Sequence, residues 1–127
     1  MHKGSCECGA VAFELSGDLR PPAACHCTQC RKTSGHYWTA TQVPNDNLMI
    51  TKDDGLKWYR SSDHARRGFC TECGSSLFWE MDGEESTSIG MGTLDGSTGL
   101  QTARHIFVAD KGDYYDIADG LPQLDTY

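Results

Sequence analysis

Seven cysteines, gathered into three tight groups, constrain this 127-residue chain more than any other feature. Cys6 and Cys8 are spaced C-x-C; Cys25, Cys27 and Cys30 combine C-x-C with C-x-x-C; Cys70 and Cys73 are spaced C-x-x-C. An odd number of thiols cannot pair off completely as disulfides within one chain, and spacings this short favour convergence on a metal ion. A redox C-x-x-C is the competing reading of Cys70-Thr-Glu-Cys73. That motif belongs at the strand-to-helix start of a βαβ unit, and residues 70–73 do not read as one. The cysteines are therefore expected to ligate metal.

Seven divides naturally as four plus three. Cys6 and Cys8 can take two places on a tetrahedral ion and Cys70 and Cys73 the other two. The result is a closed Cys₄ site tying the N-terminal edge to the middle of the chain. Such a site contributes folding energy on the order of 10 kcal/mol or more. Other pairings exist on paper, but they split a compact triple to complete a distant pair. Cys25, Cys27 and Cys30 are then left to hold a second ion with one position open, which is the mark of a catalytic rather than a structural zinc.

The triple has other readings. A histidine brought in by the fold (His36, His64 or His105) could close it as a Cys₃His structural site. His26 is a poor candidate, because in an extended segment it points away from the cysteines on either side. Bridging thiolates or an iron–sulfur centre are further alternatives. If the site is open, its charge narrows its chemistry. Three thiolates around Zn²⁺ give a net −1 core, a weaker Lewis acid than a tris-histidine site and less able to make hydroxide from water. Zinc still deprotonates a coordinating thiol. An incoming thiol is then the ligand that suits the fourth position, presented as a nucleophile.

A thiol substrate bearing carboxylates needs cations. Arg31 and Lys32 follow the triple, and Arg60, Arg66 and Arg67 precede the second C-x-x-C; of these, Arg31, Lys32, Arg66 and Arg67 are the candidate substrate-binding residues. Bidentate guanidinium–carboxylate pairing is the reason for singling them out, although solvated surface charge is the commoner role of such residues. His105 could serve as a base, but a strand histidine packed near the core is the plainer reading. Trp38, Trp58 and Trp79 are expected first as core residues, one of them lining the site.

The segments between the cysteines read as short strands. Val11, Phe13 and Leu15 alternate on one face. Arg20-Pro21-Pro22 leads extended into the triple, Thr28 is placed to cap a short helical turn ending at Gly35, and residues 36–43 are rich in aromatic and β-branched side chains. Residues 48–51 and 56–60 are expected to form a hairpin around Asp53-Asp54-Gly55. Residues 65–69 deliver Cys70, residues 77–79 and 86–91 form two strands around an acidic turn, and residues 105–108 form another. The tail beyond Asp110 shows no periodicity. The expectation is one all-β domain over residues 1–127, with eight to ten short strands.

The formal charge is −7, which argues against a nucleic-acid partner held by phosphate contacts. No apolar run approaches the roughly 18–20 residues a membrane helix needs, and the N-terminus lacks the apolar segment of a secretory signal. A cytoplasmic location is the expectation.

The groups Gly4-Ser-Cys6-Glu-Cys8-Gly9, Cys25-His-Cys27-Thr-Gln-Cys30-Arg31 and Phe69-Cys70-Thr-Glu-Cys73-Gly74 resemble, in order and spacing, the glutathione-dependent formaldehyde-activating enzyme family, also known as the centromere protein V family. The later His105-Ile-Phe-Val and Asp119-Gly-Leu-Pro122 segments are similar to that family's C-terminal pattern. The resemblance implies a β-tent of antiparallel sheets with zinc knuckles. It also implies two Zn²⁺ per chain: a structural one on Cys6, Cys8, Cys70 and Cys73, and a catalytic one on Cys25, Cys27 and Cys30. The implied activity is that of a carbon–sulfur lyase, forming or cleaving the adduct of a small thiol such as glutathione with an aldehyde such as formaldehyde. A non-catalytic zinc-binding interaction module of the same fold is the alternative. The sequence carries no indication of oligomeric state.

Overall fold

The computed structural model describes residues 1–127. Ten short strands form two sheets. The smaller holds β1 (His2–Ser5), β2 (Val11–Leu15) and β5 (Leu48–Asp53), in the order β1-β2-β5. The larger holds β3 (Ala23–Cys25), β4 (Trp38–Pro44), β6 (Leu56–Arg60), β7 (Ala65–Cys70), β8 (Ser76–Met81), β9 (Ser86–Gly90) and β10 (Arg104–Ile106), in the order β10-β3-β4-β9-β8-β7-β6. A single α-helix, α1 (Thr28–Ser34), interrupts the strands. The all-β expectation with one short helical turn holds.

The two sheets close on one core. The alternation in β2 turns Val11, Phe13 and Leu15 inward, all fully buried. They meet Val43, Leu77, Phe78 and Ile89 from the larger sheet, with the Phe13 and Phe78 rings edge-to-face at 5.2 Å. Gly4 on β1 lies opposite Phe13, where a Cβ would stand 2.5 Å from the ring, so only glycine admits that phenylalanine. This core covers one face of the larger sheet and leaves the other face for the site.

Three local expectations are corrected. Strands β5 and β6 are not a hairpin: β5 pairs with β2 and β6 with β7, so residues 53–55 carry the chain from one sheet to the other. The apolar side chains of β2 outcompete the neighbouring segment as partners for β5. The helix cap is Cys27, not Thr28; its sulfur accepts the Cys30 N–H at 3.3 Å, and Gly35 closes the far end at φ 89°. One ladder is parallel. β10 runs alongside β3 with Arg104 beside Ala23 and Ile106 beside Cys25, because the long loop after β9 returns the chain to the sheet edge in the same direction. β1 pairs antiparallel with β2, with Gly4 beside Phe13.

The tail follows β10 without forming a regular element. The His105 N–H donates to the Pro122 carbonyl at 2.9 Å and the Leu124 N–H to the His105 carbonyl at 3.0 Å. The Phe107 N–H donates to the Thr126 carbonyl at 2.8 Å. Main-chain bonding therefore docks a segment whose side chains carry no pattern. No helix is long and apolar enough to cross a membrane.

Candidate functional site

The cysteines converge as two clusters. The sulfurs of Cys6, Cys8, Cys70 and Cys73 all lie within 4.8 Å of one another, as do those of Cys25, Cys27 and Cys30. All seven thiols are free. In the first cluster Cys6 and Cys8 are 3.7 Å apart and Cys8 and Cys70 3.8 Å, far beyond the roughly 2.05 Å of a disulfide. Four sulfurs held about 2.3 Å from a tetrahedral zinc stand about 3.8 Å from each other. The donor set and its spacing fit that ion.

Two glycine-ended turns build this cluster. The Gly9 N–H returns to the Cys6 carbonyl and the Gly74 N–H to the Cys70 carbonyl, with φ of 83° and 80°, which a side chain resists. The Val11 N–H donates to the Cys6 sulfur at 3.2 Å. Cys6 and Cys70 belong to the hydrophobic core itself, so the cluster is a closed, packed joint between the two sheets.

The three-cysteine cluster is differently placed. Cys25 ends β3, Cys27 caps α1 and Cys30 lies one helical turn on, so strand end and helix start aim three thiols at one point. All three line a cleft of about 590 Å³. Its floor is the open face of the larger sheet, read strand by strand through the pleat: Ile106, Cys25, Trp38, Ala40, Ser88, Trp79 and Arg67 share that face. Small side chains at Ala23, Ala40 and Ser88 leave the hollow that Trp38 and Trp79 border. Without an ion, hydrogen bonds from the Cys25 and Cys30 thiols, helped by the Cys30 amide and Arg67, pull Cys27 down to about 2. Sharing with Cys27 drives Cys25 correspondingly up.

Of the four basic residues singled out, the structure brings one, Arg67, to the cleft. It is nearly buried, its Nη2 3.5 Å from the Cys30 sulfur and 3.5 Å from Gln29 Oε1. Arg66, its neighbour on β7, points to the other face, where it pairs with Glu80 at 2.7 Å and lies over the Trp58 ring at 3.9 Å. Arg31 and Lys32 occupy the end of α1 and do not line the cleft. Period-two and helical geometry separate residues adjacent in sequence. Two arginines not among these four, Arg20 and Arg104, do line it. Arg104 shares the face of Ile106 two residues on, a relation visible once β10 is known to flank β3. Arg20 lies in an irregular stretch with no period to read.

Behind the triple sits a buried polar chain. His26, fully buried between Cys25 and Cys27, turns its ring to the opposite face, as the extended geometry implied. His105 is 2.8 Å from it and 2.7 Å from Asp119, and the Tyr115 hydroxyl is 2.5 Å from His26 Nδ1. Burial, with His105, His36 and Lys111 nearby, holds His26 down to about 4. His105 is thus the packed strand histidine expected, and neither histidine reaches the triple as a fourth ligand.

Comparison with known proteins follows from this geometry. The family described as glutathione-dependent formaldehyde-activating enzyme matches residues 1–110, which contain both cysteine clusters. The chain belongs to that family. A Rhodobacter sphaeroides protein solved by crystallography superposes with a TM-score of 0.61 at 25% identity, over 76% of this chain and 90% of that one. In Schizosaccharomyces pombe, a protein named Uncharacterized lyase C29B12.13 is 25% identical over 93% of this chain and 86% of its own length. A Halomonas elongata protein named Putative glutathione-dependent formaldehyde-activating enzyme is 33% identical over 63% of this chain and 55% of its own length.

Proposed function

We propose that the chain is a zinc-dependent carbon–sulfur lyase that forms or cleaves the adduct of a small thiol with an aldehyde, glutathione and formaldehyde being the pair its family suggests. The observation that carries this reading is the contrast between the clusters: four cysteines, two of them in the core, close on one another, while three face a cleft. Cys6, Cys8, Cys70 and Cys73 are assigned one zinc with a structural role, and Cys25, Cys27 and Cys30 a second with an open position.

When bound there, zinc supplies a positive centre that favours the thiolate form of a substrate thiol. The chain's own groups do the rest. The wall of Trp38 and Trp79 limits water around the sulfur. Arg67, held beside Cys30, offsets the negative charge of the triple and faces the charge that moves onto the aldehyde oxygen as the sulfur–carbon bond forms. A proton from solvent then gives the hydroxymethyl product, and the reverse path releases thiol and aldehyde.

The test is exchange NMR of formaldehyde and glutathione in the presence of zinc-loaded protein. Wild type is expected to speed exchange between free and adduct signals and Cys27→Ser to return it to the uncatalysed rate. Equal rates for the two proteins would sink the assignment.

A further inference from the structure

The chain's cations are not evenly partnered. Arg60, Arg66 and Lys52 each face a carboxylate, and the remaining ion pair is His105 with Asp119. Of the eight lysines and arginines that face no carboxylate, Arg20, Arg67 and Arg104 are the three that line the cleft. Arg67 has the cysteine triple as its counter-charge. Arg20 and Arg104 have none.

Arg20 is held in place. Its Nη2 donates to the Ala40 carbonyl at 3.1 Å, its Nη1 meets Gln42 Oε1 at 3.5 Å, and its own carbonyl accepts the Thr41 hydroxyl at 2.6 Å. Its Nε is buried with no partner. Burial and the nearby charge of Arg104 both push its pKa down, the direction expected of two guanidiniums crowded without an anion. The cleft's carboxylates, Glu84 and Asp110, form no ion pair with either. Two guanidiniums beside each other, one half-buried and pinned to the sheet and the other reaching in from the rim, offer a carboxylate charge-assisted donors from two sides.

Their distance from the triple is set by register. Arg104 lies beside Ala23, two residues before Cys25 on the same face, about 7 Å along the strand. We propose that Arg20 and Arg104 form an anion subsite that receives a carboxylate of the thiol handled at Cys25, Cys27 and Cys30. This rests on the thiol reading of the triple and adds to it the residues that set its selectivity: Arg20 and Arg104 favour a thiol whose carboxylate lies several bonds from sulfur over neutral thiols.

The subsite is tested by binding, with no turnover required. Trp38 and Trp79 line the cleft, so tryptophan emission of the zinc-loaded protein reports occupancy. The probes are glutathione, its diethyl ester (thiol kept, carboxylates masked) and S-methylglutathione (carboxylates kept, thiol masked). Glutathione is expected to bind saturably, and the diester about tenfold or more weaker. Arg104→Gln, an exposed position that leaves the core untouched, is expected to weaken glutathione by a similar factor, Arg104→Lys to recover part of the loss, and Arg20→Gln to act in the same direction. S-methylglutathione is expected to retain sensitivity to Arg104→Gln. Equal binding of glutathione and its diester, wild-type affinity in Arg104→Gln, or no saturable binding of either carboxylate-bearing probe overturns the subsite. If S-methylglutathione binds as tightly as glutathione and Arg104→Gln weakens both, the subsite stands and the thiol role of the triple fails instead.

Discussion

His26 Nε2 and His105 Nδ1 lie 2.8 Å apart, the middle link of a four-residue chain. The Asp119 carboxylate accepts from His105 Nε2, His105 and His26 share the central hydrogen bond, and His26 Nδ1 meets the Tyr115 hydroxyl. Every polar group in the chain has a partner. The chain links the cysteine-bearing end of β3 to β10 and to the tail.

Replacing His105 by Phe leaves His26 Nε2 buried without a hydrogen-bond partner. A loss of about 1–3 kcal/mol is expected, read from denaturant unfolding followed by circular dichroism. His105→Gln, which retains polar groups, is expected to lose less.

Asp119 gives the tail a pH dependence. The Leu121 N–H, then His105, hold its carboxyl below the ordinary 3.8. A depressed carboxylate contributes stability that is fully present above the unfolded value and lost as pH falls through the folded one. The protection factors of the amides that dock the tail, those of His105, Phe107, Val108 and Leu124, are therefore expected to hold above pH 3.8 and to fall below it. In Asp119→Asn the lowered protection should already be present at neutral pH, with no further step in that acid range.

Gly55 sits against the closed cluster. A Cβ there would stand 2.7 Å from the Cys70 sulfur and 3.1 Å from the Ala10 Cβ. Gly55→Ala is expected to weaken retention of the structural zinc, measured by competition with a chromophoric chelator. Retention equal to wild type would show that the turn yields freely at residues 53–55.

Metal removal should separate the clusters. A mild chelator is expected to take one zinc of two, from the triple, with little change in far-ultraviolet circular dichroism. Harsher removal of the second should unfold the chain, since the closed site belongs to the core. Cys70→Ser should reproduce that unfolding, whereas Cys27→Ser should remain folded. Two zincs leaving together, or one only in total, would contradict the division.

Much of this arrangement is legible in the sequence because cysteine spacing is a local signal. C-x-C and C-x-x-C fix which thiols can meet, and counting assigns the remainder, so both clusters follow before any sheet is drawn. The alternation of Val11, Phe13 and Leu15 likewise names the buried face of β2. What escapes is set by partners far along the chain. Strand β5 looks like half of a hairpin until β2 is offered to it. Arg66 and Arg67 are equivalent in sequence, and only the pleat of β7 sends one to Glu80 and the other to Cys30. Arg20 and Arg104 are 84 positions apart and become neighbours only through β3, whose pairing with β10 has no periodic signature.

Cys8 and Cys70 lie 3.8 Å apart across 62 positions of chain, and this span has a consequence for how the molecule is made. Synthesis proceeds from the N-terminus, so β1, β2 and the first two ligands emerge well before the thiols that complete their ion. Until residue 73 leaves the ribosome the nascent sheet has only half a site, and closing the loop costs entropy that no partial contact returns. With the zinc proposed for that cluster, whether the two sheets join on the first attempt is expected to depend on metal supply at that moment.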